Sequence, residues 1–369
     1  MSKRIYRTTR TSTDTCSRSS EPFFLGQCFI LIKSENLHRT MFGEKEKENY
    51  TRGVNIGGFL VLENFITPYT FSLTTCDLKG DFRFYEGQID APPVSSPLYK
   101  PVDREECPSI PRDDYPHDEW SMMQLFRDAN NGDPSIAEQY LDIHYDNMVK
   151  REDITELKAG GLTHVRVPIG HWILGDIEGD EPYVAKGGWK YFKRLVRWCR
   201  EEGIEVWLDL HTAPGSQNGF DNSGHMSLDA PTCHGWDNNI TDSYFNSTGG
   251  VLPYNVRRTL RIIDQITSTI VSDGLRDVVT GFGLLNEPVM NCNTVVLKDF
   301  YNQGLDIVRK NMGNDTAVSI SDAFFAWGWN DGFWAGEEYK GTYLDSHFYQ
   351  VFDPNTRHAS PRQHIALVW

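Results

Sequence analysis

Residues 278–288 read VVTGFGLLNEP. An apolar run of this length is the pattern of a buried strand, and Pro288 stops it because proline cannot donate to a ladder. Asn286 and Glu287 therefore sit where a buried strand emerges. The pattern recurs on both sides. RGVNIGGFL (52–60), LTHVRVPI (162–169) and IEVWLDLH (204–211) read as strands upstream, and TAVSIS (316–321) and TYLDSHFY (342–349) downstream. Helical periodicity fills the intervals. EDITELKAGG (152–161) ends in glycine, and GGWKYFKRLVRWCREEG (187–203) puts Trp189, Phe192, Leu195, Val196 and Cys199 on one face with Gly203 as C-cap. Residues 255–272 stripe Val256, Leu260, Ile263, Ile266 and Ile270, and a further helix is expected over 295–311.

Strands that alternate with helices are parallel strands joined by crossover helices. A doubly wound sheet and a (β/α)8 barrel both satisfy that order. RGVNIGGF lacks the GxGxxG spacing of a dinucleotide-binding turn, which counts against the former. Polar residues close strand after strand: Arg166, then Asp209 and His211, then Asn286 and Glu287, then Asp322, then His347 and Tyr349. In a barrel such ends converge on one mouth. The expected class is α/β, a (β/α)8 TIM barrel represented by six of its eight strands, starting near 53, 163, 204, 278, 316 and 342. The segment after the first strand carries Pro92, Pro93, Pro97, Pro101, Pro108, Pro111 and Pro116. It is too long for a plain connection and is expected to fold over a site.

The 369-residue chain has a formal net charge of −15, which argues against nucleic acid or an anionic membrane as partner. No stretch approaches the ~18 apolar residues of a spanning helix. Residues 1–50 do not match the rest: a basic, Ser/Thr-rich start, the short apolar run FFLGQCFILI (23–32), then a highly charged tail. They are expected to be a disordered leader or a misassigned start, outside a barrel domain at 51–369, and they show no clear signal-peptide cleavage site. None of the seven cysteines has zinc spacing. Cys199 is expected as a buried free thiol, whereas Cys76, Cys107, Cys233 and Cys292 lie in loops and are able to form two bridges in an oxidising compartment. Sequons at Asn49, Asn239, Asn246 and Asn314 favour secretion weakly.

RGVNIGGFLVLENFITPYTF (52–71), VRVPIGHW (165–172), DLHTAPGSQNGFDNSG (209–224), LLNEP (284–288) and LDSHFYQVF (344–352) together resemble the exo-β-1,3-glucanase group of glycoside hydrolase family 5. They occur in that group's order, and HTAPGSQNGFDNSG is long and specific. The resemblance implies a (β/α)8 barrel and retaining hydrolysis of β-glucosidic bonds. That chemistry needs two carboxyl groups about 5 Å apart, one as acid/base and one as nucleophile. Glu287 matches the acid/base, and burial together with a neighbouring negative charge is expected to raise its pKa. Asn286 matches the residue that bonds the sugar 2-hydroxyl, and Arg166 the arginine beneath the nucleophile. His211, His347 and Tyr349 match residues lining the cleavage subsite. Glu63, Asp221 and Asn222 match those that hold the terminal glucose, and Phe220 and Phe352 an aromatic clamp on the next sugar. Phe59, Phe65, His171 and Thr212 depart from the group's commoner GGW, LEPY or LEPW, PIGYW and LHGAPG.

In this group the nucleophile comes from the seventh strand, in a Gly-Glu-Trp-like setting. No such segment follows the sixth strand here, and the last glutamates, Glu337 and Glu338, precede it. A C-terminally truncated exo-β-1,3-glucosidase is therefore expected. It is expected to act on β-glucan polysaccharide or oligosaccharide without metal or cofactor, as a monomer, outside the cell or in its wall. A glucan-binding pseudoenzyme is the alternative. A metal-dependent hydrolase using Asp209, His211 and His347 is a weaker third reading. Residues 51–369 alone are expected to be insoluble or molten, because a gap in a barrel leaves two edges open.

Overall fold

The computed structural model describes Cys28–Phe29, Ile32–Lys33 and residues 51–347 apart from 186, 227–232, 330 and 335, together with 349, 358, 360 and 363. Its strands in chain order are β1 (Cys28–Phe29), β2 (Ile32–Lys33), β3 (Gly53–Asn55), β4 (His164–Ile169), β5 (Glu205–Leu210), β6 (Val279–Gly283), β7 (Ala317–Ser321) and β8 (Thr342–Asp345). β3 to β8 lie side by side in sequence order, each parallel to the next. That sequential parallel wall is an incomplete (β/α)8 barrel, as the alternation of strands and helices predicts. The six expected strand starts agree with the observed ones to within a residue or so.

Helices Arg151–Ala159, Gly188–Glu202, Tyr254–Ser272 and Thr294–Met312 connect successive strands. Each buries its apolar stripe: Phe192, Leu195, Val196 and Cys199 on one, and Val256, Leu260, Ile263, Ile266 and Ile270 on the next. Gly203 closes the first of these in the left-handed region, at φ +64°. Inside the barrel, Gly281 on β6 makes room for Trp207 on β5. A Cβ at Gly281 would lie 2.4 Å from the indole, and the β5–β6 register shifts beside it, between Val206 and Trp207.

Two helices that the sequence reading did not assign, Glu119–Ala129 and Ser135–Met148, occupy the end of the long segment after β3. Asp118 caps the first, accepting from Ser121 N at 2.7 Å. Cys76 and Cys107 form a disulfide earlier in the segment, Cys233 and Cys292 form a second, and Cys199 is free and buried.

β1 pairs antiparallel with β3, and β2 pairs antiparallel with β8, so the two edges of the parallel wall each carry a short strand. Both pairings fall within the segment expected to lie outside the fold. An unpaired edge offers a row of free N–H and C=O groups that recruits extended chain. The rest of residues 1–50 lies outside the described residues. No helix among the described residues is long and apolar enough to cross a membrane.

Candidate active site

The C-terminal ends of the strands hold the site. Beyond β6 the chain stays in line, because Leu284 N donates to Ser319 O and Asn286 N to Leu210 O, at 3.0 and 2.9 Å. Glu287 then adopts φ +46°, in the left-handed region that non-glycine residues rarely occupy. A strain of about 1 kcal/mol persists only where the surroundings impose it. Here Asn218 Nδ2 donates to Glu287 O at 3.0 Å, and Gln217 Nε2 donates to both Asn286 O and His211 O, at 2.9 and 2.8 Å.

The buried Glu287 carboxylate receives donors from two other chain segments. Tyr349 OH and His347 Nδ1 meet Oε1 at 2.7 and 2.5 Å, and Asn222 Nδ2 meets Oε2 at 2.8 Å. Burial pushes this carboxyl up, but the hydrogen bond and charge of His347, with Tyr349 and Asn222, outweigh it and hold the group down to about 2. The expected raised pKa is therefore corrected: in this arrangement Glu287 is a carboxylate. His347 Nε2 lies 3.3 Å from Asp345 Oδ2, so the imidazole bridges two carboxylates. Burial pushes the imidazole down, but Asp345 and Glu287 overcome this and hold it up to about 10.

Arg166, on β4, is the buried hub beneath. It donates to Asn55 Oδ1 at 3.0 Å and Asn286 Oδ1 at 2.8 Å, and pairs with Asp209 at 2.8 Å and Asp345 at 3.6 Å. His211 Nδ1 lies 2.6 Å from Asp209 Oδ2. Asn286 Nδ2, His211 Nε2 and Asp345 Oδ1 are buried and have no hydrogen-bond partner among the described residues. A polar ligand is one way to satisfy such atoms.

Glu63 is buried and accepts from Gly58 N at 2.9 Å. Burial raises its pKa, the charge of His211 lowers it, and the nearby charges of Asp221 and Glu287 raise it further. Asp221 is also raised, first by its own burial. Phe220 packs half-buried, edge-on to Phe324 at 6.4 Å. Phe352, its expected partner in a clamp, lies outside the described residues. The structure thus brings together Glu287, Asn286, Arg166, His211, Asn222, His347 and Tyr349, with Glu63 and Asp221 alongside. The sequence reading assigned no site role to Asn55, Gln217, Asn218 or Asp345, although Asn55 and Asp345 close their strands as the assigned residues do. Among the described residues, the groups with ligand atoms within 4.8 Å of one another are Cys76–Asp81–Cys107 and Cys233–Asp237–Cys292, not Asp209, His211 and His347. Both cysteine pairs are disulfides, so neither offers a thiolate.

The family model for cellulases (glycosyl hydrolase family 5) matches residues 130–364. The chain belongs to glycosyl hydrolase family 5. Within that family it is similar to a glucan 1,3-beta-glucosidase of Pichia angusta, 34% identical over 318 residues that make up 85% of this chain and 58% of that one. A glucan 1,3-beta-glucosidase of Schwanniomyces occidentalis is 34% identical over 317 residues, 85% of this chain and 60% of that one. The chain therefore spans about three fifths of the length of these curated relatives. Among solved structures, the rutinosidase from Aspergillus niger superposes with a TM-score of 0.50 at 18% identity, over 80% of this chain and 68% of that one, which supports the barrel fold.

Proposed function

We propose that the whole protein is a retaining exo-β-glucosidase that removes glucose from the ends of β-1,3-glucans, with Glu287 as acid/base. The observation that carries this reading is the buried carboxylate of Glu287 at the end of β6, ringed by Asn222, His347 and Tyr349. Asn286, fixed by Arg166, stands beside it for the sugar 2-hydroxyl. Glu63, Asp221 and Asn222 supply the acceptors and donors that close the pocket around a terminal glucose. To give a proton to the leaving oxygen, Glu287 must first regain one. A second carboxylate about 5 Å away raises the pKa by like charge and serves as nucleophile. In this family that partner is expected on a later strand. Two disulfides support an oxidising compartment, outside the cell or in its wall. The substrate is a β-glucan polysaccharide or oligosaccharide, and the protein acts as a monomer.

One observation favours a second reading, a glucan-binding protein without catalysis. Glu287 is held as a carboxylate, and the carboxylates close enough to act on its charge are engaged, Glu63 with Gly58 N and Asp345 with His347 and Arg166. Glucose release from laminarin by the purified whole protein separates the two. Release that disappears in Glu287→Gln supports the enzyme, whereas laminarin binding without release supports the binding protein.

A further inference from the structure

The tripeptide Asp118-Glu119-Trp120 opens the helix Glu119–Ala129, in the long segment that follows β3. All three residues reach backbone groups of other loops. Glu119 is fully buried and its Oε2 accepts from Leu62 N at 2.9 Å, one residue before Glu63. Asp118 uses one carboxylate oxygen to cap its own helix and the other to accept from Met226 N at 2.5 Å. Trp120 N donates to Gly224 O at 2.9 Å, and its indole stacks on His225 with ring centroids 4.0 Å apart. Residues 224–226 directly follow the short turn Asp221–Ser223 that carries Asp221 and Asn222.

The Glu63 side needs this support. Phe59, Leu60, Val61 and Leu62 are all buried, so every backbone polar group there must find a partner inside the protein. Gly58 N is taken by Glu63 itself, Phe59 O by His144 Nε2 at 3.0 Å, and Leu62 N by Glu119. His144 is anchored in turn by Asp90 at 2.7 Å.

We propose that Asp118, Glu119 and Trp120 form a strap that sets the distance between Glu63 and the Asp221–Asn222 pair, and so the width of the sugar-holding end of the site. They are positioning residues: Glu119 acts through Leu62, and Asp118 and Trp120 act through residues 224–226. The strap rests on the reading of Glu63 and Asp221 as glucose-holding residues. Electrostatics agrees with the proximity, since burial and then the charge of Asp118 raise Asp221, while Asp221 raises Glu63.

The test uses the full chain, with laminaribiose binding followed by calorimetry and backbone hydrogen exchange followed by mass spectrometry. Glu119→Leu removes the acceptor for Leu62 N–H, and Glu119→Gln keeps a carbonyl there. The strap predicts that Glu119→Leu weakens laminaribiose by about tenfold or more, and that Glu119→Gln recovers most of it. Exchange should speed up over residues 57–67 alone. Asp118→Asn keeps an oxygen for the cap and turns an N–H toward Met226, so exchange should speed up over 219–226. If Glu119→Leu binds within about twofold of the wild type while Glu63→Gln loses binding, the strap is overturned and the sugar site stands. If neither the wild type nor Glu63→Gln binds laminaribiose, the functional reading fails and exchange decides the strap: unchanged protection over 57–67 and 219–226 overturns it, and faster exchange there supports it. Should Glu119→Leu not fold, Glu119→Asp, too short to reach Leu62 N, takes its place.

Discussion

His347 Nδ1 lies 2.5 Å from Glu287 Oε1, joining the end of β6 to the chain beyond β8 by an ion pair in a buried setting. The contact fixes the protonation of both groups. Glu287 is depressed to about 2, so its share of stability is present above its ordinary value of 4.5 and fades as pH falls from there toward 2. His347 is raised to about 10, so its share is complete below 6.5 and fades as pH climbs from there through 10. Between pH 4.5 and 6.5 both contribute in full. The melting temperature of the wild type should therefore drop between pH 6.5 and 9.5 by more than that of His347→Gln. Parallel curves for the two proteins in that window would show that the pair does not form.

Glu287→Gln should abolish most glucose release from laminarin by the whole protein. Aryl glucosides with good leaving groups need less proton donation and should lose less at the glycosylation step. Wild-type laminarin turnover by this variant, measured as glucose released, would remove Glu287 from the acid/base role.

Phe220→Ala should raise KM for laminari-oligosaccharides and leave small aryl glucosides nearly unchanged, because the ring is expected to contact the sugar beyond the terminal one. A lost stacking contact is worth on the order of 1 kcal/mol. Equal effects on both substrate types would make Phe220 a packing residue.

Thr212 and His171 form a buried pair. Thr212 Oγ1 accepts from His171 N at 2.9 Å and meets His171 Nδ1 at 2.8 Å. Both depart from the commoner family residues, and the two departures are in direct contact. Thr212→Val leaves two buried polar groups without a partner and should cost about 1–3 kcal/mol in denaturant unfolding. A midpoint that does not move would show that water replaces the hydroxyl.

The barrel wall was legible because each parallel strand is a short apolar run that closes on a polar residue. Arg166, His211, Asn286, Glu287 and His347 were marked by position alone. Helices Glu119–Ala129 and Ser135–Met148 were not seen, since Glu119 and His144 interrupt their apolar faces. Those two side chains bond Leu62 N and Phe59 O, partners more than fifty residues away that no local periodicity reveals. The ionisation of Glu287 was misjudged for a related reason. Burial is readable from a hydrophobic run, whereas donors arriving from Asn222, His347 and Tyr349 are set by tertiary structure.

The two disulfides divide the molecule by redox requirement. Cys76–Cys107 lies in the stretch that carries Glu63, and Cys233–Cys292 fastens the turn that follows Glu287. Neither joins one strand to another, and Cys199 on the helical layer is a thiol that burial pushes up to about 12, too high to react readily. Each cross-link restrains the unfolded chain by on the order of 4 kcal/mol, and that restraint is spent on the rim rather than the floor. A production host that keeps cysteines reduced should therefore yield a scaffold whose strands assemble but whose mouth is loose, and the same gene routed through an oxidising compartment should yield the braced form. Limited proteolysis at residues 56–118 and 233–292, compared between the two preparations, would register that difference.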